Sequence, residues 1–522
     1  MTRSAQEIAA GLAPSRPGRP IEPGTRIHVL GVGGAATAGA ALHAHAAGAI
    51  VTACDLGGPD PVTAAVLAAG IPIDWRHDAG HIVDADGAAV VDRLAVTKAV
   101  TSVEPDHPEL LAARTLGIEP ESVQQLIADA AATGGRRLIA VTGTHGKSTT
   151  SGWLLHLLVG AGRDPSGFVG AVLPSSVAGP VRGVARFGAG EDFVVEADEY
   201  AGNFDPYRPA VTILISAEWD HPDVFSDADG VEAAFADWIR RSADGPDLPD
   251  GGPMLVANVG DAGVRGVLAL LAGWPGRIVR VRLLDDEEPW PTDVDLAARV
   301  LAEDGDGSTL ELRASDVLGG ITGAVDLGLV GRHMAIDGLL AAAGALVVGA
   351  EAALVLDGLA TFRGVERRFE LKGEIDGVAV LDDYAHHPTA MRATFAAARR
   401  RYPGRRLWAV YEPLTYHRTA AMLEAFAEVL ATADRAAVID IWAVRDPDTT
   451  ITSAAALAEA VSRRTPEPAH AIGDPEAAAA WLADHVEPGD VVLIMGGGRS
   501  YVAAERLVER LRDRSAEVTG SR

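Results

Sequence analysis

The sequence predicts an α/β protein of three domains: a Rossmann-like N-terminal domain, a central P-loop-type ATPase domain with a parallel sheet, and a C-terminal Rossmann-like α/β domain. Three observations predict it. Short apolar runs alternate with Ala-rich helical stretches, the pattern of strands covered by helices. Two of those runs, ending at Leu30 and Val141, lead into glycine-bearing turns followed by a helix, an order that presents loop N–H groups and a helix N-terminus to phosphate. Finally, 522 residues suffice for three ordinary domains, and 48% hydrophobic with 22% charged content is that of a folded chain.

Residues 1–24 are expected as a mobile N-terminal tail, because they carry Arg, Pro and Ala without the apolar core of a signal peptide. The first domain, 25–137, opens on the strand Arg26-Ile27-His28-Val29-Leu30. Gly31-Val32-Gly33-Gly34-Ala35-Ala36 follows, with a helical run to Ala47 and a second strand over 50–54 that leads to Asp55. Gly31, Gly33 and Ala36, with an acid about twenty positions on, match the dinucleotide fingerprint. That pattern alone admits a nicotinamide cofactor, another diphosphate, or a tight turn without a ligand.

The central domain, 138–362, carries Thr142-Gly143-Thr144-His145-Gly146-Lys147-Ser148-Thr149 between a strand and a helix read as amphipathic over 153–158. The strict phosphate-loop pattern has a glycine where this chain has Val141, so Gly143 makes the turn. Lys147 is placed to reach outer phosphates, and Ser148 to ligate Mg²⁺. A strand over 193–195 ends on Glu196-Ala197-Asp198-Glu199, and one over 211–215 on Ser216-Ala217-Glu218-Trp219-Asp220-His221. A carboxylate at the C-terminal end of a strand beside a phosphate loop is where a magnesium ligand belongs.

The third domain, 363–512, follows the segment Phe362-Arg363-Gly364-Val365-Glu366-Arg367-Arg368-Phe369. Apolar strands are expected over 378–381, 407–410, 437–441 and 491–495, separated by helices including 391–401 and 418–430, so the sheet is mostly parallel. The first strand runs into Asp382-Asp383-Tyr384-Ala385-His386-His387-Pro388-Thr389. Paired histidines without a further spaced ligand read as loop residues rather than a metal site. Residues 513–522 are expected as a tail.

A net charge of −27 argues against nucleic acid or an anionic membrane as partner. A nucleotide substrate needs only local cations. The single cysteine, Cys54, rules out an internal disulfide framework and fits a reducing cytoplasm. No run of eighteen apolar residues occurs, so no spanning helix and no membrane insertion is expected.

The loop Thr-Gly-Thr-His-Gly-Lys-Ser-Thr-Thr resembles the nucleotide loop of the Mur ligases, which use ATP to add amino acids to UDP-N-acetylmuramate. The resemblance extends from about Arg26 to about Leu507 and is closest to the branch that adds L-alanine and the related murein-tripeptide recycling branch. It implies a cytoplasmic ligase of peptidoglycan synthesis, monomeric or homodimeric, that uses ATP and Mg²⁺ to make an acyl phosphate of UDP-N-acetylmuramate for attack by L-alanine. By this resemblance Gly31, Gly33, Gly34 and Asp55 hold the UDP-sugar, and residues 142–149 with His333, Asp337, Arg368 and Asp383 hold ATP. Ser148, Glu196 and His221 serve magnesium or the γ-phosphate, and Lys147 stabilises the charge moving onto ADP. His386 and Arg418 lie near the incoming amino acid, and a hinge near 363–366 closes the domains.

Several positions depart from the family pattern. His333-Met334-Ala335-Ile336-Asp337 stands for His-Asn-x-x-Asn, and an aspartate accepts from the adenine amino group but cannot donate. Glu412-Pro413-Leu414-Thr415-Tyr416-His417-Arg418-Thr419 has threonine for one expected arginine, which implies weaker L-alanine binding. Ser216 replaces Asn, Arg499 replaces Asp, and Ala35-Ala36-Thr37 replaces a hydroxyl, Gly and Met. Three other readings stay open: a recycling ligase or paralogue with another amine, a nicotinamide-dependent oxidoreductase, and a non-catalytic nucleotide-binding regulator.

Overall fold

The computed structural model describes residues 4–242, 252–304, 307–443, 446 and 448–520. The described residues form three sheets distributed over two compact units. The first unit runs to Leu301 and takes in Thr309–Gly328 and Met334–Val365; the second holds Leu329–His333, Glu366 onwards and a short piece ending at Ser308.

In the first unit, five parallel strands stand in the order Ile73–Asp74, Ile50–Cys54, Arg26–Leu30, Arg93–Val96, Glu121–Ser122. This is the 3-2-1-4-5 order of a doubly wound sheet, whose ligand crevice lies beyond the C-terminal end of the first strand. The alternation within Arg26–Leu30 sends Ile27 and Val29 into one core with the Ala-rich helix Ala35–Ala46, and Leu30 into a second core with Cys54 and Leu110.

The second sheet has ten strands. Its parallel centre places Arg137–Thr142 between Asp192–Glu196 and Val211–Leu214. Helix Lys147–Gly160 is buried almost all round, including Trp153, Leu154, Leu155, Leu157 and Leu158, and so is not amphipathic as expected. The cause is packing on two sides: it lies on strands Ser166–Leu173 and Asp192–Glu196 and is covered by helix Ala352–Thr361. The four strands between Arg277 and Leu327, which extend the sheet on one side, have no counterpart in the sequence reading.

The expected mobile N-terminal tail is instead seated where it is described. Ile8 is buried with Tyr200 and Ala201, and the Arg16 guanidinium makes paired bonds of 2.7 and 2.8 Å to Asp129. The expected C-terminal tail likewise continues helix Ser500–Gly520, and Arg514 donates to the Ala483 carbonyl at 2.6 Å. Neither terminus carries apolar periodicity long enough to reveal these contacts, which are made by single side chains.

In the second unit six strands stand in the order Glu370–Ile375, Val378–Asp383, Asp490–Gly496, Arg406–Glu412, Arg435–Val438, His470–Ala471. Five are parallel and the first is antiparallel. The helix expected over 418–430 divides into Tyr416–Ala421 and Leu423–Leu430, because Met422 leaves helical geometry at φ −112° and ψ 19°. The stretch Ile441-Trp442-Ala443-Val444-Arg445-Asp446, which resembles the L-alanine-adding branch of the Mur ligases, lies in part outside the described residues.

Candidate active site

Three parallel strand ends build the phosphate loop's surroundings. Val141 pairs with Glu196 and Thr142 with Leu214, so the loop and both acidic clusters emerge at one edge of the sheet. Gly146 caps helix Lys147–Gly160 at φ 81°. A side chain there is excluded twice: this left-handed geometry suits glycine, and a Cβ would lie 2.5 Å from Asp337 Oδ1. The loop is pinned from the second acidic cluster. Thr144 N donates to Ser216 O at 3.1 Å, His145 N to Ser216 Oγ at 3.0 Å, and Glu218 N to Thr144 Oγ1 at 2.8 Å. Ser216 thus has a defined task in place of the expected Asn. Buried Thr142 donates to Ala197 O at 2.7 Å, and Thr149 is buried within the helix.

Lys147 Nζ donates to Gly143 O at 2.6 Å and to Glu199 Oε2 at 2.9 Å. Burial disfavours its charge, but Glu199 and Asp198 more than offset this and raise its pKa. Glu199 is 2% exposed; burial opposes its charge, yet Lys147 and His221 hold it down at about 2. This buried partner went unnoticed in the sequence because Glu196, Asp198 and Glu199 crowd one strand end, and spacing does not say which one turns inward.

Ser148 Oγ donates to Glu196 Oε1 at 3.1 Å, while Gly170 N donates to Glu196 Oε2 at 2.7 Å. A hydroxyl beside an oriented carboxylate is a hard oxygen pair that fits Mg²⁺. His221 Nε2 lies 3.6 Å from Glu199 Oε1 and 3.9 Å from Asp220 Oδ2, and with Asp198 and Glu199 it brings three ligand atoms within 4.8 Å of one another at the same strand ends.

In the first sheet, Asp55 braces the glycine loop. Its two oxygens accept from Gly33 N and Gly57 N, each at 2.7 Å. In a dinucleotide site this acid would bond a ribose hydroxyl; here it is engaged by backbone. Gly31 turns at φ 77°, and Gly34 caps helix Ala35–Ala46 without a side-chain bond, which leaves the helix N-terminus facing the loop.

In the second unit, Asp383 accepts from Phe369 N and Ala385 N at 2.7 Å each. Burial raises its pKa against the pull of Arg368, whose guanidinium lies 4.9 Å from the Tyr384 ring centre. Arg367, missed in the sequence, clamps the sheet end by donating to Asp382, Gly496 O, Gly498 O and Ser500. His386 Nδ1 lies 3.0 Å from Tyr384 O. Arg418 is 2% exposed at the helix whose N-cap is Thr415, itself buried at φ 62° and ψ 143°. An arginine at 415 would have to occupy this interior position, a constraint invisible in the family pattern. Glu412 is pushed up to about 7, by burial first, against the pull of the Ser500 N–H. Burial and Arg400 lower His333 to about 4.

A phosphate loop with a lysine and hard oxygen ligands, on a chain with doubly wound sheets at both ends, defines an enzyme that spends a nucleoside triphosphate. Residues 26–134 match the model of the Mur ligase family catalytic domain, and 367–498 that of the Mur ligase glutamate ligase domain. UDP-N-acetylmuramate–L-alanine ligase of Kineococcus radiotolerans is 38% identical over 94% of this chain and 97% of its own. The protein of that name from Frankia casuarinae is 35% identical over 93% and 97%. The crystal structure of UDP-N-acetylmuramate–alanine ligase from Thermotoga maritima shares the fold at a TM-score of 0.73, with 22% identity over 94% of this chain and 99% of that one. The chain belongs to the Mur ligase family of ATP-dependent ligases.

Proposed function

We propose that this protein joins L-alanine to UDP-N-acetylmuramate in peptidoglycan synthesis, converting ATP to ADP and phosphate. The observation that carries this reading is the loop of residues 142–149, set between two acidic strand ends, in a chain whose similarity to L-alanine-adding relatives spans nearly its whole length. A carboxylate oxygen of the sugar's lactyl group attacks the γ-phosphorus, and the bond to the β-phosphate oxygen breaks. The amine then attacks the acyl carbon, its C–O bond to phosphate breaks, and the amine gives up a proton.

Most of the protein's work is positioning and charge neutralisation. Lys147 pairs with the outer phosphates, and Glu199 with His221 holds that ammonium in place. Glu196, Asp198 and Glu199 outnumber Lys147 around the loop, so a polyanionic nucleotide requires a divalent cation there. Ser148 and Glu196 would hold Mg²⁺, which supplies charge neutralisation at the phosphates. Asp337 stands against the loop at Gly146, with His333 as a further nucleotide residue. Asp383 and Arg368 contribute nucleotide contacts, and His386 and Arg418 serve the amino acid, Arg418 by neutralising its carboxylate. Gly31, Gly33 and Gly34 receive the UDP diphosphate, with Asp55 shaping their loop. We place the reaction in the cytoplasm by likeness to the family; among the described residues no helix is long and apolar enough to cross a membrane.

Phosphate release with ATP, UDP-N-acetylmuramate and glycine, L-serine, L-alanine or the murein tripeptide tests the reading. Release confined to L-alanine is expected. Release with the tripeptide alone moves the protein to recycling, and none with any amine leaves a nucleotide-binding regulator.

A further inference from the structure

On the face of the first sheet opposite helix Ala35–Ala46 lies a buried cluster that the ligation chemistry does not use. His28 is 1% exposed, Cys54 0% and Glu109 0%. With His81, each offers one ligand atom, and all four atoms lie within 4.8 Å of one another. His28 Nε2 is 3.1 Å from Glu109 Oε2 and 3.3 Å from Cys54 Sγ; His81 Nδ1 is 3.0 Å from Glu109 Oε1; and Cys54 Sγ is 3.3 Å from Glu109 Oε1. A tetrahedral zinc ion with its usual bond lengths separates its ligand atoms by about 3.3–3.7 Å. The four close separations, 3.0–3.3 Å, lie at or just under this range, and no two of the four ligand atoms are more than 4.8 Å apart.

The outer atoms of both imidazoles point the same way. His28 Nδ1 is 2.8 Å from Thr52 Oγ1, and His81 Nε2 is 3.1 Å from Asp74 Oδ2. Each ring is held by its far nitrogen and turns the other to the common centre, the arrangement that orients metal-binding histidines. Beside them, His77 Nδ1 is 3.3 Å from Cys54 Sγ. His107 is 4% exposed, and its Nε2 has no hydrogen-bond partner among the described residues. His77, His107 and Glu109 also bring ligand atoms within 4.8 Å of one another. A cleft of about 350 Å³ lined in part by His28, Thr52, Asp74 and His81 supplies an entry path.

We propose that His28, Cys54, His81 and Glu109 bind one divalent transition metal ion of borderline softness, zinc first. Two neutral imidazoles, a thiolate and a carboxylate balance the ion's charge, as a buried site requires. Coordination forms the Cys54 sulfur–metal bond and releases the thiol proton to solvent, so uptake strengthens as pH rises. Gly31 N and Val32 N donate to the Cys54 carbonyl at 2.9 and 3.0 Å, so the site anchors the strand end that carries the glycine loop.

Chelator-treated full-length protein titrated with Co²⁺ tests this independently of ligase activity. Uptake of one ion is expected, with a near-ultraviolet thiolate-to-cobalt band and visible bands of tetrahedral intensity. Because Cys54 is the only cysteine, that band has a single source. Cys54→Ser should remove the band, and His81→Ala should weaken uptake at least about tenfold, with zinc displacing cobalt in the native protein. No uptake, uptake without a thiolate band, or equal affinity in His81→Ala would each overturn the site and leave a hydrogen-bonded ion pair. Should Cys54→Ser fail to fold, His81→Ala and the native spectrum still decide.

Discussion

At the scale of single residues, Lys147 was legible as the phosphate-facing cation, but its buried partner was not. Lys147→Ala should abolish phosphate release. It should also destabilise the protein by about 3–5 kcal/mol near neutrality, because Glu199 is left as a buried charge without its main cation. The pH dependence has a definite sign. Glu199 has a folded pKa of about 2 against an ordinary 4.5, so its contribution is fully present above the ordinary value and is lost as pH falls towards 2. Urea unfolding from pH 7 to pH 3 checks this: the gap between native protein and variant should narrow as pH falls, and a constant gap would separate Glu199 from Lys147. Glu196→Gln should raise the Mg²⁺ concentration needed for half-maximal activity, since an amide is a poorer magnesium ligand than a carboxylate; an unchanged titration would remove Glu196 from the metal site. Thr415 reads in the sequence as a lost arginine, whereas the structure makes it a buried β-branched residue at φ 62°. Thr415→Gly should relieve about 1 kcal/mol of backbone strain while raising the KM for L-alanine, as calorimetry and kinetics would register together. A loss of thermal stability would mean that the side chain contributes more than the strain costs.

At the scale of elements, strands were read well wherever an apolar run ended on chemistry. Residues 193–195 and 211–215 fall within or against Asp192–Glu196 and Val211–Leu214, because buried parallel strands are apolar on both faces. The outlying strands Leu296–Glu303, Ser308–Ala314 and Thr322–Leu327, the last at the sheet edge, mix exposed and buried positions in sequence too polar to stand out. Ala-rich helices were recognisable as helices, but alanine gives little contrast between faces, which is why burial around Lys147–Gly160 was misread. The glycine loop of the first sheet offers an element-level test. A Cβ at Gly33 would lie 2.9 Å from Asp55 Oδ2, so Gly33→Val should displace the carboxylate that braces the loop. The KM for UDP-N-acetylmuramate should rise at least about tenfold, equivalent to about 1.4 kcal/mol, with little change for ATP. Equal loss of both affinities would indicate that the whole unit, rather than one loop, has been disturbed.

At the scale of the molecule, two doubly wound sheets and a phosphate-loop domain between them were legible from the order of strands, turns and helices. What was not legible depended on contacts between residues distant in sequence: Arg16 with Asp129, Ser216 with His145, and Arg367 with the carbonyls of Gly496 and Gly498. The cluster of His28, Cys54, His81 and Glu109 belongs to the same class, since its members come from two strands, a turn and a helix start. The central claim is ATP-dependent ligation of L-alanine to UDP-N-acetylmuramate, and the most direct measurement is phosphate release with the ligated product identified by mass. The account predicts stoichiometric phosphate and UDP-N-acetylmuramyl-L-alanine only when ATP, Mg²⁺, the UDP-sugar and L-alanine are all present. Phosphate release without the ligated product, or binding of NADH in place of the UDP-sugar, would contradict it.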